Sequence, residues 1–323
     1  VIDEFGRDGN TGLLPVSVDR SLWGGVPLGA SFSNDMKFCG APLLDREKAA
    51  RALDALVSAI ASYTPFPCAF LFDEMPAEGP LAQAMAEAFE RAGWQMRAYG
   101  RYERVVLDAS RPGDEYLSAA VSGKKRKEYR RLANRLKDMG ALEFTVVGDE
   151  DGVVSALEDL LRLEQQGWKG KNATAILDRE SWTGYFRDAV ARLSANGRAQ
   201  VACLSLGGRT IAAGLVVTSG TSAWFYKIAF DETLSHYSPG VLLTLELTEY
   251  LCDRPDILTA DSCAPGDHPM IAHIWREREA CCDMLAVPPG SPSGLIFCAE
   301  TIRREARGFV KKGYHSIKRK MRG

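Results

Sequence analysis

The sequence predicts an α/β fold, a mixed sheet flanked by helices. Three observations carry that reading. Helical-period apolar patterns alternate with short strand-like runs along most of the chain. Three such runs, Gln200–Leu206, Thr210–Thr218 and Ser222–Phe230, follow one another with only Gly207-Gly208 and Ser219-Gly220 as hairpin turns. A helix-period segment then opens at Gly240, soon after the last run.

In chain order, the first 45 residues are rich in Gly, Pro, Ser and Asn and read as irregular or short-stranded. Arg46–Tyr63 carries apolar residues at 53, 56, 57 and 60, a helical pattern that Pro65 and Pro67 stop. Cys68–Phe72 reads as a buried strand, Leu81–Ala92 as a helix, and a further strand ends in Tyr102–Leu107. Ser110-Arg111-Pro112-Gly113 reads as a linker. Beyond it one long basic helix is expected to about Met139, closed by Gly140 in left-handed backbone. Leu142–Val147 alternates as a strand, and Glu150–Gln166 is an amphipathic helix with apolar residues at 153, 157, 160 and 161. A helix over Arg179–Ala195 ends at Asn196-Gly197. After the three hairpin strands, Val241–Leu251 reads as a helix, Ile257–Asp261 as a strand, His268–Glu279 as a helix and Cys282–Val287 as a last strand. The expected division is 1–112, 113–290 and a basic C-terminal helix and tail over 291–323.

A helix that opens directly after a central strand offers unsatisfied backbone N–H groups and the positive end of its dipole, so Gly240 marks a candidate phosphate site for a nucleotide-like donor. A plain turn is the alternative reading of the same glycine.

At 323 residues, 46% hydrophobic and 25% charged, the chain has the composition of an ordinary globular protein. No apolar run reaches the length of a membrane span, and no basic flank with an apolar stretch opens the chain, so a cytoplasmic setting is expected. The chain begins on Val1 rather than methionine, which leaves its true start open. The eight cysteines show no C-x-x-C pair and no histidine at finger spacing, so they read as reduced packing residues and no metal site is expected. Net charge is −2, unevenly spread: 124–137 carries +7 and 303–323 carries +8, so the rest of the chain holds −17. Two basic patches on an acidic body suit local docking of polyanionic groups, and two solvated helix faces are the alternative.

Four segments carry a family resemblance. They are Ser122-Gly123-Lys124-Lys125-Arg126-Lys127-Glu128-Tyr129-Arg130-Arg131; Leu163-Glu164-Gln165-Gln166-Gly167-Trp168-Lys169-Gly170-Lys171; Trp224 to Asp231 with Tyr237-Ser238-Pro239-Gly240-Val241-Leu242-Leu243; and Asp261 with Pro265-Gly266-Asp267-His268-Pro269. Together they resemble the FemAB/BioF2-like branch of the GNAT acyltransferase superfamily over about residues 115–290. Gly40-Ala41-Pro42-Leu43-Leu44-Asp45 is similar, less sharply, to the family's leading domain. The resemblance implies two tandem GNAT-like units, one of them degenerate, and a donor held at Ser238, Pro239, Gly240, Val241, Leu242 and Leu243. It implies acyl-CoA or aminoacyl-tRNA as donor and an amine or hydroxyl as acceptor. Gly167 departs from the small polar residue expected before the Trp-Lys pair.

Acyl transfer needs a base, a donor that polarises the carbonyl and a proton for the leaving group. Asp261, at a strand end, is the candidate base or acceptor-orienting group, against a turn-capping role. Tyr226 and Lys227 alternate on a strand and are expected to face opposite sides. Tyr226 is the candidate proton donor and Lys227 the candidate anchor for donor or acceptor. Glu164 is a candidate second base, against an ordinary surface glutamate. Trp168, Lys169 and Lys171 suit a groove lip for an anionic acceptor, against a core-edge tryptophan. The four histidines form no triad, and serine-hydrolase chemistry has no support.

Three functions are thereby framed. The leading one moves an acyl group from acyl-CoA, a co-substrate rather than a resident cofactor, to a glycan, amino-sugar or amino-acid-like acceptor, in the setting of polysaccharide or cell-envelope synthesis. The second uses aminoacyl-tRNA, with RNA phosphates on the 124–137 helix. The third is an inactive scaffold whose basic tail docks on a membrane or polyanion. The tail reads as a docked helix to about Ile317, with the last six residues disordered or touching an anionic surface through Lys318, Arg319 and Lys320.

Overall fold

The computed structural model describes residues 2–6, 9–23, 26–32, 36–37, 39–63 and 69–320, without the side chains of 2–6, 9–10, 19–23, 26–27 and 309–320. The turn prolines Pro65 and Pro67, Cys68 and the last three residues lie outside the described residues. Two compact units result, one of Val1–Tyr102 with Ala280–Gly323 and one of Glu103–Glu279. The first unit is thus completed by the chain's C-terminal part, where the sequence suggested three consecutive segments.

The chain begins with strands β1 (Ile2–Gly6), β2 (Gly9–Leu14), β3 (Val16–Trp23), β4 (Val26–Ser31) and β5 (Leu43–Leu44). Helix α1 (Ala49–Tyr63), β6 (Phe70–Pro76) and α2 (Pro80–Arg91) follow, and the chain leaves the first unit within β7 (Gln95–Asp108). The second unit then runs α3 (Gly113–Ala120), α4 (Gly123–Lys137), β8 (Leu142–Val147), α5 (Glu150–Gln166), α6 (Trp168–Lys171), α7 (Glu180–Ala195), β9 (Ala199–Leu206), β10 (Arg209–Ser219), β11 (Ser222–Phe230), α8 (Pro239–Cys252) and β12 (Thr259–Pro265). The chain returns within β13 (Glu277–Val287) and ends in α9 (Ser293–Lys320).

Each unit has a mixed sheet. In the first, β3-β4-β6-β13 lie in that order, with β4 parallel to β6 and the other pairs antiparallel. Strand alternation divides its core: Phe70 and Phe72 pack with α1 and α2 residues such as Leu56 and Phe89, whereas Leu71 packs with Ile296 and Phe297 of α9. In the second unit the order is β7-β12-β11-β10-β9-β8, and only β11 and β12 run parallel. Both units therefore repeat one arrangement, a hairpin whose second strand is joined through a helix to a parallel neighbour.

The meander β9–β10–β11 forms as its turns dictate. Gly207, Gly208 and Gly220 have φ of 57°, 79° and 56°, the left-handed backbone of tight hairpins. Helices α5 and α8 both pack on β9, β10 and β11. On α8, Leu243, Leu247 and Leu251 are fully buried, and truncating one of them to alanine costs about 2–5 kcal/mol. Helix α5 starts where Asp149 Oδ1 accepts the Gly152 N–H at 2.8 Å, and it buries Val153, Leu157, Leu160 and Leu161 as expected.

Three local expectations are corrected. The long basic helix is two helices, because Val121 is extended and Ser122 caps a new start by accepting the Lys125 N–H. Gly140 is not among the positive-φ glycines, so no left-handed residue closes α4. His268–Glu279 is not a helix. Ile271, Ile274 and Trp275 are all buried, but over a short 3₁₀ turn at Ile271–His273, and the chain is already extended by Glu277.

Candidate functional site

The site is built from the end of β11 and the segments on either side of it. Strands β11 and β12 pair in parallel at Ser222–Trp224 with Thr259–Asp261 only. Beyond that point β11 continues against β10, up to Phe230, while β12 runs to Pro265 beside β7. The start of α8 follows the parting strands. A Cβ placed on Gly240 would meet Phe230 Cδ1 at 3.0 Å and Met270 Sδ at 3.6 Å, so the helix start is wedged between the residues that end β11 and follow β12. Close approach, not a left-handed backbone, explains this glycine.

The residue that does take the left-handed region is Ser238, with φ 54° and ψ 50°, immediately before Pro239 at the first helical position. Val241 and Leu242 N–H groups both donate to Ser238 O, at 3.0 and 3.1 Å. Pro239 has no N–H, so the first-turn donor left over among the described residues is Gly240 N–H. Leu242 and Leu243 face the core, so this segment offers a ligand its backbone. Behind it, Thr244 donates to Gly240 O at 2.8 Å, Thr248 to Thr244 O at 2.6 Å, and Trp275 Nε1 to Thr248 Oγ1 at 2.8 Å, a buried chain that fixes the helix start.

A bulge in β11 sets which face its side chains take. Leu215 pairs with Lys227 and its neighbour Val216 with Phe225, so Tyr226 is the extra residue. Leu215 and Val216 face opposite sides, hence so do Phe225 and Lys227. Phe225 packs on Trp275, their rings 6.1 Å apart, while Lys227 reaches α5 and the Tyr226 ring lies 6.2 Å from Phe186 of α7. Tyr226 and Lys227 therefore share the α5–α7 face, where simple alternation predicted opposite faces.

Glu164 is the hub of that face. It is only 5% exposed, not a surface glutamate. Its Oε1 accepts from Lys227 Nζ at 2.9 Å and from Lys169 Nζ at 2.8 Å, and its Oε2 accepts the Ile176 N–H at 2.9 Å. Burial pushes its carboxyl up, but the Lys227 charge, the Ile176 N–H and Lys169 together hold it below the ordinary value. Burial pulls the Lys227 ammonium below its ordinary value, against the opposing pull of Glu164, and the nearby Lys169 charge lowers it further.

The lip of the cleft is latched by a residue that sequence reasoning missed. Glu232, in the 3₁₀ turn Glu232–Tyr237 just before α8, accepts the Trp168 N–H at 2.5 Å and pairs with Lys171 Nζ at 2.6 Å. Glu164, Gly167, Trp168, Lys169, Phe230 and Glu232 line one small cleft, and the Trp168 indole is 60% exposed at its edge. Glu164, Trp168, Lys169, Lys171, Tyr226 and Lys227, separated by up to 63 positions, are thus brought together.

Asp261 is held differently. Its Oδ2 accepts from Arg104 Nη1 at 3.0 Å, both side chains being buried, and its Oδ1 accepts the Cys263 N–H at 2.7 Å. Cys263 has φ 54°, so Asp261 caps a left-handed turn. With each oxygen engaged, this carboxylate has the geometry of the turn-capping alternative. Arg104, its partner 157 positions away, carried no signal in the sequence.

Residues 123–268 match the family model of an acetyltransferase (GNAT) domain. No curated protein matches the chain. Among solved structures, the chain is similar to FemX, with 12% identity, 90% of this chain and 88% of that one covered, and a TM-score of 0.56. It is similar also to the C-terminal domain (DUF2156) of an Agrobacterium fabrum protein assigned as a lysylphosphatidylglycerol synthetase (14% identity, 93% and 87% covered, TM-score 0.54). L-PGS from Bacillus licheniformis gives 12% identity, 93% and 87% covered, and a TM-score of 0.51. At such identities the likeness is one of fold. Over residues 123–268 the chain is thus similar to a GNAT acetyltransferase domain, and its fold is similar to that of FemX.

Proposed function

We propose that this chain transfers an acyl group from acyl-CoA to an amine or hydroxyl of a glycan, amino-sugar or amino-acid-like acceptor. The observation that carries the reading is the start of α8 wedged behind the parting ends of β11 and β12, where Gly240 N–H has no hydrogen-bond partner among the described residues. The donor's pyrophosphate lies against Ser238–Leu243 backbone, where the helix dipole favours negative charge. Its thioester extends along the cleft beside β11. The acceptor enters over Trp168, and its anionic group exchanges with Glu232 for Lys171 and shares Lys169 with Glu164 at the lip.

In this reading the acceptor nitrogen or oxygen attacks the thioester carbonyl carbon, the C–S bond breaks, and Tyr226 gives its proton to the departing thiolate. Lys227, fixed by Glu164, anchors the polarised carbonyl. The acceptor's own proton leaves to water at the open lip, and a proton from water returns to the Tyr226 phenolate to close the cycle. Glu164 is tied to Lys169 and Lys227 and positions the cleft, while Asp261 is tied to Arg104 and caps its own turn, so neither serves as a free base. The test is titration calorimetry with CoA and acetyl-CoA, followed by mass spectrometry of amino-sugar and amino-acid acceptors for an added acetyl group. Tight CoA binding with acetylated product supports the reading, and the absence of CoA binding removes it.

A specific observation favours aminoacyl-tRNA as the alternative donor. All eight cations of α4 are exposed, and among the described residues only Arg131 has a carboxylate partner, Glu128 at 2.6 Å. Helix α4 packs beside the Glu232–Tyr237 turn that leads into α8. A row of unpaired cations there suits a nucleic-acid backbone as well as a CoA phosphate. Charged tRNA in the same calorimeter separates the two donors.

A further inference from the structure

We propose that the outward face of α9 is a docking surface for an anionic lipid membrane. Inward contacts fix the rotation of this helix. Ile296 and Phe297 are buried, and Glu300, fully buried, accepts from Arg303 at 2.7 and 2.6 Å and from Arg304. Arg304 also donates to Asp283 at 2.8 Å. These bonds leave no freedom about the helix axis.

With that rotation, the outward face is apolar. Leu295 is 73% exposed and Ile302 60% exposed, and Ala299 and Ala306 between and beyond them are exposed as well. The spacing i, i+4, i+7, i+11 makes one stripe along the helix. In the sequence the same spacing continues at Phe309, Val310, Gly313 and Ile317, and the helical backbone continues to Lys320. Two large aliphatic side chains, Leu295 and Ile302, are thus left exposed on one face of a helix that has already covered its own unit's core.

Charge selects the occupant. From Arg303 onward the chain holds nine Lys and Arg against Glu305; Arg303 and Arg304 are held by Glu300 and Asp283, which leaves seven for an anionic surface. A second copy of the helix would bring two segments of +8 together, which is unfavourable. An anionic headgroup layer takes both features at once, the stripe entering the acyl boundary while the cations stay at the phosphates. Among the described residues no helix is long and apolar enough to cross a membrane, so α9 lies on the surface.

Flotation of the full chain with phosphatidylglycerol–phosphatidylcholine vesicles, and with phosphatidylcholine alone, tests this without reference to acyl transfer. The anionic vesicles should bind the chain, less at high salt, and the neutral ones weakly. The variant Leu295→Asp with Ile302→Asp changes exposed positions, so its melting temperature should stay that of the parent. Its vesicle affinity should fall more than about tenfold. The proposal is overturned if the parent ignores anionic vesicles or if the variant binds them equally well. A concentration-dependent dimer that the variant abolishes would also overturn it, in favour of a second copy on this face.

Discussion

Lys227 Nζ and Lys169 Nζ converge on a single oxygen, Glu164 Oε1, at 2.9 and 2.8 Å, so one buried carboxylate holds two cations at the mouth of the cleft. Removing it leaves both uncompensated. Glu164→Ala should therefore lower stability by about 3–5 kcal/mol, measured by urea unfolding. A loss below about 1 kcal/mol would show that the cations relax into solvent.

The same carboxylate makes stability depend on pH. Its folded pKa lies below the ordinary 4.5, so its contribution is present above that value and is lost as pH falls through the lower folded value. Glu164→Gln should remove this acid-limb dependence, seen as a flatter plot of unfolding free energy against pH in that window. An unchanged slope would assign the acid sensitivity elsewhere.

Asp261→Asn strips the charge from the partner of a buried arginine. The expected result is a stability loss of about 3–5 kcal/mol, largely recovered when Arg104→Met is combined with Asp261→Leu. A general base would behave otherwise: Asp261→Asn would keep the fold and slow turnover by about 10²–10⁴. Turnover corrected for the folded fraction distinguishes the two.

Deleting residues 318–323 removes Lys318, Arg319, Lys320 and Arg322. The helical backbone runs to Lys320, three residues past the end expected at Ile317. The melting temperature should nonetheless hold, while affinity for anionic vesicles falls by roughly a hundredfold or more, at about 1 kcal/mol per cation. A large drop in melting temperature would make these residues part of the fold.

How much of this was legible in the sequence follows from what each feature depends on. The meander of β9, β10 and β11 was readable because Gly207-Gly208 and Gly220 encode their turns locally. The helix after Ser238-Pro239-Gly240 was readable for the same reason. The shared face of Tyr226 and Lys227 was not, because a bulge is set by the register against β10 and leaves an ordinary alternating sequence. The segment at 268–279 misled because Ile271, Ile274 and Trp275 have helical spacing, while the chain is extended again by Glu277. Arg104 and Glu232 were invisible as partners of Asp261 and Trp168, since nothing local marks a contact over 157 or 64 positions.

The claim on which the rest depends is that the donor's phosphates meet the start of α8. Titration calorimetry of acetyl-CoA into the parent and into Gly240→Asp measures it directly. The aspartate sets a negative charge where the pyrophosphate should lie. Gly240→Ala serves as the packing control, because its Cβ meets the Phe230 ring at the same 3.0 Å. The account predicts saturable binding by the parent, at most a modest weakening in the alanine variant, and loss of binding in the aspartate variant, with all three folded. Equal affinity in the parent and in Gly240→Asp would contradict it.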